Sequence, residues 1–309
     1  MNTMSLKSTI RSLIIITLFL SSFECTFADN GLFSSQDSTK IQDRVIKPGK
    51  AKIFEKGLIS TGLEYSITFT PDGKEAYFAK ADTVHKMAVI MVSRFKNGNW
   101  QKPVIASFSG TYGDVDPFIT PDGKKLFYAS HRPFSGTTPQ KDYDLWYVEK
   151  NKGKWGKPVH MSNAINTKGK EGYPGVTADG TLYYFSDHGN GWKANDIYMS
   201  KLVNGHYTKA VKLGKSINTN RAADVSPYIS PDNNVLVFYS TRKGGYGKAD
   251  LYVSYKKNGT WSKARLLGPA VNTAAWDVCP TISPDKKYFY FERHGNIYRI
   301  PLGSAGIHL

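Results

Sequence analysis

Cysteine is nearly absent. Cys25 and Cys279 are the two in 309 residues, which excludes a disulfide scaffold. Acidic side chains are the scarcer charge, 25 against 41 basic ones, for a formal net charge of +16. No apolar run reaches the roughly 20 residues that a membrane-spanning helix needs. The Gly-x-Ser-x-Gly elbow and the glycine-rich phosphate loop are both missing, so neither signature of hydrolase or nucleotide chemistry is present. No His-x-His or His-x-x-x-His spacing marks a local metal site. With 40% apolar and 21% charged residues, the chain is not mostly disordered. What it has in quantity is Tyr (19), Phe (16) and Gly (28), the residues of strands and tight turns.

The surplus of +16 invites a nucleic-acid reading, and the N-terminus argues against it. Lys7 and Arg11 precede the apolar run 12–20, and Thr26-Phe27-Ala28 offers small residues to a signal peptidase. That order describes a secretory signal peptide over residues 1–28, cleaved after Ala28, with an uncleaved anchor as the alternative. Lipidation at Cys25 is a further alternative, but Glu24 stands where a lipoprotein has a small residue. Removing 1–28 takes away Lys7, Arg11 and Glu24 and leaves +15 with the single cysteine Cys279. An exported chain of this charge, periplasmic or secreted, has an envelope protein, an anionic glycan or a lipid surface as its natural partner, and no nucleic acid. Its mature part has no transmembrane segment.

The rest of the chain repeats itself. Asp114–Gly123 (DVDPFITPDG), Glu171–Gly180 (EGYPGVTADG), Asp224–Asn233 (DVSPYISPDN) and Asp277–Lys286 (DVCPTISPDK) share one pattern, and Glu64–Gly73 matches it in its second half. The turn aspartates Asp72, Asp122, Asp179, Asp232 and Asp285 are spaced by 50, 57, 53 and 53 residues. Such a period with strand-forming composition predicts a β-propeller whose repeats are four-stranded blades. Strand A leads into the Pro-Asp-Gly turn, and strand B is the aromatic-rich run after it. Strand C ends at a hairpin signal such as Asn97-Gly98 or Asn258-Gly259, and strand D opens on Trp100, Trp155, Tyr207 or Trp261. The fifth repeat has no strand D. Shifted by 50 residues, Lys52–Glu55 aligns with Lys102–Ile105, so the last blade takes its outer strand from the N-terminal side. The expected fold is all-β: five blades over residues 46–309, with 29–45 as a linker.

The segments Ile217-Asn-Thr219, Asp224-Val-Ser-Pro227, Pro231-Asp232, Ser240-Thr-Arg242, Gly244–Gly247 and Asp250–Ser254 resemble the TolB-like, WD40-like Pro-Asp-repeat β-propellers of bacteria. The resemblance covers nearly the whole mature chain. It implies the fold and an envelope-associated protein–protein role. TolB carries an additional N-terminal domain and peptidase relatives carry a hydrolase domain, and residues outside the repeats leave no room for either. The resemblance therefore implies no activity.

Aligned repeats expose columns. Seven residues before the turn proline or its equivalent stand Glu64, Asp114, Glu171, Asp224 and Asp277; at the start of the innermost strand they would ring one mouth of the channel. After strand B come Arg132, His188, Arg242 and His294, with Asp82 as the exception. Opposed carboxylates and cations would tie the blades by charge-assisted hydrogen bonds. The same nine residues are the candidate ligand-binding set at the channel mouth. No cofactor is called for, and a divalent cation at the acidic ring is the alternative use of it. Lyases of this fold that degrade pectin use a histidine cluster with a metal, for which His131, His188 and His294 are a weak match. Asp144, Asp196 and Asp250 before strand C, and Asn166, Asn218 and Asn272 between blades, read as backbone caps. Cys279, beside Asp277, reads as a buried, inert thiol. The lysines gather around the C–D hairpins. The expected function is a non-catalytic binding or scaffold module, and the alternative is a lyase or hydrolase acting on anionic glycans.

Overall fold

The chain divides into Met1–Val45 and a compact unit, Ile46–Leu309. The computed structural model describes residues 50–220 and 222–309, so the signal peptide, the linker and Cys25 lie outside the described residues.

Five antiparallel sheets follow one another along the chain. Their A strands are Glu64–Phe69, Asp114–Ile119, Glu171–Val176, Asp224–Ile229 and Val278–Ile282. The B strands are Glu75–Asp82, Lys125–Ser130, Leu182–Ser186, Val235–Ser240 and Tyr288–Arg293. The C strands are Met87–Lys96, Asp144–Asn151, Asp196–Ser200, Asp250–Lys257 and Asn296–Pro301. The A strands touch in succession, and the last touches the first, so the sheets form the blades of a closed five-bladed propeller. Strand B is the middle of each blade, covered by neighbouring blades on both faces. That is why its sequence is a continuous apolar run rather than an alternating one: Leu126–Ala129, Leu182–Phe185 and Leu236–Tyr239 are buried throughout.

The N-terminal strand Lys52–Ile53 closes the ring. Lys52 pairs with Arg299 and Ile53 with Tyr298, and Phe54 N–H donates to Ile297 O at 2.8 Å. In the first blade the same places belong to Val104, Ile105 and Ala106, which pair with Val92, Met91 and Ile90. The equivalence is therefore a shift of 52 residues, two more than the sequence alignment gave. An even shift leaves every side chain on the same face.

The two residues come from a feature misplaced in the sequence reading. Trp100, Trp155, Tyr207 and Trp261 do not open strand D. They pair with Phe95, Lys150, Leu202 and Lys256 in short ribbons at the hairpin ends of strand C. A connector follows, and only then does strand D pair in the blade, as Val104–Ile105, Val159–His160, Val211–Lys212 and Arg265–Leu266. The aromatics pack between blades. Trp155 Nε1 donates to Tyr77 Oη of the preceding blade at 2.9 Å, and Trp261 meets Tyr183 edge-on at 6.2 Å.

Candidate functional site

Strand A starts at the end of the propeller that also carries the B–C loops and the blade-to-blade connections. The five acids of the first column lie there, each 0% exposed. Each turns its oxygens towards donors of its own repeat. Glu64 accepts from Thr61 N–H and Oγ1 and from Lys80 Nζ at 2.7 Å. Asp114 accepts from Ser109, Ser130 and, at 3.4 Å, Arg132. Glu171 accepts from Thr167 N–H and Oγ1 and from Ser186 Oγ at 2.6 Å. Asp224 accepts from Thr219 and, at 2.5 Å, Arg242. Asp277 accepts from Thr273 and, at 2.6 Å, Arg293. Each acid thus clasps the connection entering its blade to the end of strand B.

The cation partners differ from the column drawn in the sequence. Arg132 and Arg242 fit it, but His188 and His294 make no bond to the acids, and Asp82 pairs with His85 instead. The residue directly opposite the acid on strand B decides which cation serves. Where it is Ser130 or Ser240, an Arg two positions later reaches back; where it is Lys80 or Arg293, that residue pairs directly. The second column follows this switch. Asp144, Asp196 and Asp250 stand opposite the serines, whereas Val89 and Asn296 stand opposite Lys80 and Arg293. Asp250 caps a turn by accepting from Tyr246 and Gly247 N–H, but Asp144 and Asp196 pair with His160 and Lys212 of strand D. Asn166, Asn218 and Asn272 each bond both backbone groups of the second residue of strand C, mimicking a strand partner.

Electrostatically the clasps are unequal. Burial raises Glu64, but Lys80, Thr61 and Leu63 outweigh it and hold the carboxyl below its ordinary range. Burial pushes Asp114 up despite Ser130, Ser109 and Arg132. Glu171 has no cation, and burial pushes it up to about 7 against the hydrogen bonds of Ser186 and Thr167. Of the nine residues proposed from the sequence as ligand contacts, only His188 and His294 are exposed; the acids present no surface. Among the described residues no group of three or more His, Cys, Asp or Glu is placed to hold a metal.

A second ring lies further along strand A, in the column of Cys279, to which the sequence reading gave no role. Ser66, Asp116, Tyr173, Ser226 and Cys279 all have left-handed backbone, with φ from 48° to 55°. Each is the extra residue of a bulge in strand A, and the last four precede Pro117, Pro174, Pro227 and Pro280. The prolines fit because the inner edge needs no N–H there. Non-glycine residues in this region are strained by about 1 kcal/mol or more each, and here the strain recurs in every blade. Ser66 Oγ donates to Asp116 Oδ1 at 2.9 Å and Tyr173 N–H to Oδ2 at 3.3 Å. Tyr173 Oη meets Cys279 Sγ at 3.1 Å. That contact joins the third and fifth blades, which are not neighbours, so it bridges the axis. The cavity left at the hub is about 30 Å³, lined by this ring and its prolines. It admits water, whereas small-molecule pockets run to several hundred Å³. Ser226 Oγ is buried with no partner among the described residues.

The shared feature with known structures is the propeller itself. No protein-family model matches the chain, and no curated protein matches it. An α-L-arabinofuranosidase from Lactobacillus brevis is similar over 79% of this chain and 92% of its own, at 12% identity and a TM-score of 0.51. TolB from Acinetobacter baumannii is similar at 14% identity and a TM-score of 0.46 over 77% of this chain, which spans 54% of TolB's length. A gluconolactonase from Xanthomonas campestris is similar over 82% of this chain and 96% of its own, at 9% identity and a TM-score of 0.47. At such identities the likeness is one of fold.

Burial pushes Asp116 up to about 7 despite its bonds to Ser66 and Tyr173, and pushes Glu292 up to about 7 against the Gly295 N–H. A carboxyl raised from 3.8 to about 7 adds stability that is complete below the lower value and lost as pH rises through the upper one. The protein is therefore expected to be more stable near pH 5 than near pH 8 in this respect. Asp116→Asn should narrow that difference by roughly 2 kcal/mol, read from urea unfolding at the two pH values. An unchanged difference would show that Asp116 titrates normally.

Proposed function

We propose that the protein is an exported, non-catalytic binding module that docks an envelope protein or polymer across the mouth face of the propeller. The observation that supports this reading is the construction of the mouth. Its acids are consumed in clasps, its axis is bridged by Tyr173 and Cys279, and its open groups, His188 and His294, lie on the B–C side. Such a face offers a broad contact surface rather than a substrate pocket. The clasps serve it by fixing the loops, so the acids act as supports and not as contacts. The test is a photo-crosslinking amino acid at 188 or 294, in cells, with Lys152 on the hairpin side as control. One partner enriched from both mouth positions and not from 152 is expected. Enrichment equal at all three would overturn the reading.

A carbohydrate-active enzyme is the second reading, favoured by the likeness in fold to the arabinofuranosidase. Cleavage of an anionic glycan by the purified protein would establish it over the binding reading.

A further inference from the structure

The C–D hairpins and the A–B turns share the end of the propeller opposite the mouth, because strands A and C both run towards it. The hairpin segments 94–102, 149–157, 201–209 and 256–263 carry eleven lysines and Arg94 against one acid, Glu149. Ten of these twelve cations are exposed; Lys150 and Lys256 lean over Trp155 and Trp261. The A–B turns nearer the axis are balanced, with five lysines against six acids over 70–75, 120–125, 177–181, 230–235 and 283–288. On the mouth side, the B–C segments 80–88, 131–144, 187–196 and 241–250 hold eight cations against six acids. The chain's basic surplus is therefore concentrated as an outer ring on one face. Apolar side chains stand among these cations: Phe95 is 40% exposed, Leu202 40% and Val203 48%.

We propose that this face docks on an anionic lipid bilayer, independently of the mouth, which is left facing away from the membrane. Two features choose a bilayer over a single polyanionic chain. The cations are almost all lysine, a hydrated point charge, not the arginine fork that grips individual carboxylates and phosphates. Phe95, Leu202 and Val203 give the short apolar contact that supplements lysine attraction at a headgroup layer. Near an anionic membrane each lysine contributes about 1 kcal/mol.

The test is sedimentation of the purified protein with phosphatidylglycerol-containing vesicles and with pure phosphatidylcholine vesicles. Binding to the anionic vesicles alone, weakened by salt, is expected. Lys152→Gln/Lys154→Gln should reduce it roughly 30-fold, and Leu202→Asp/Val203→Asp should remove what survives in high salt. Lys141→Gln/Lys193→Gln, on the mouth side, should leave it unchanged. All six positions are exposed, so thermal unfolding of the variants should match the parent and separate lost docking from lost folding. Equal binding to both vesicles, no binding to either, or an equal loss from the mouth-side pair would overturn the proposal. So would preferential capture by a soluble acidic polysaccharide that displaces the protein from vesicles.

Discussion

Phe54→Ala is expected to destabilise the propeller by about 4 kcal/mol, far more than any change to the short, exposed D strands. Phe54 is 1% exposed and is the one large side chain that the closing strand inserts between the last blade and the first. Its ring meets Tyr290 of the fifth blade at 5.2 Å and Trp100 and Phe69 of the first at 5.8 and 6.2 Å, nearly edge-on in each case. Arg299 lies over its face at 5.4 Å. Truncation removes burial and four oriented contacts, and leaves a cavity where the ring is joined by only a two-residue strand. The equivalent places in the other blades are Ala106, Met161, Leu213 and Leu267, all buried, so the closing strand fills this position with the one aromatic ring. Urea unfolding would measure the loss, with Val104→Ala, at a 52% exposed strand D position, as the control near zero. A loss under about 1 kcal/mol for Phe54→Ala would mean that the closure contributes little.

The sequence carried the architecture because a repeat is read several times over. Five Pro-Asp turns locate the blades, and the unmatched strand C at 297–300 locates the closure. What it blurred was the short range beyond the hairpins. A two-residue ribbon and a two-residue strand D, separated by a connector, have too few residues to show a period of their own. Trp100 and its counterparts were conspicuous and were taken for the start of the strand.

The columns were legible and their exceptions were the informative part. Asp82 and Val89 break two different columns in the same blade, and His294 and Asn296 are the irregular members in the last one. Both irregularities arise because a cation, Lys80 or Arg293, occupies the place that Ser130 and Ser240 hold elsewhere. Pairing within a blade was thus written in the sequence as correlated departures. The hub ring was not legible in the same way. Ser66, Asp116, Tyr173, Ser226 and Cys279 share a backbone conformation, not a chemical type, and left-handed φ leaves no mark when glycine does not supply it.

Asp224→Ala and Glu171→Gln, in the same column, are expected to change stability in opposite directions. Asp224 is fully buried and paired with Arg242 at 2.5 Å, while its other oxygen accepts from Thr219. Removing it strands a guanidinium whose remaining hydrogen-bond acceptors are Ser240 Oγ and Ile217 O, and it orphans a backbone N–H. Breaking one side of a buried ion pair costs about 3–5 kcal/mol. Glu171 is equally buried but has no cation, only Thr167 and Ser186. Its carboxyl rises from 4.5 to about 7, so the fold favours the protonated form. That contribution is intact below the lower value and lost above the upper one, leaving an ionised acid without counter-charge at pH 8. Glutamine reproduces the neutral acid: its oxygen can accept from Thr167 N–H while its amide donates to the two hydroxyls, which rotate to accept. Glu171→Gln is therefore expected to raise stability at pH 8 by about 1–2 kcal/mol and to change little at pH 5. Chemical denaturation of both variants at the two pH values would decide it. If Glu171→Gln destabilises at pH 8 as Asp224→Ala does, the clasps are equivalent and the presence of a cation does not distinguish them.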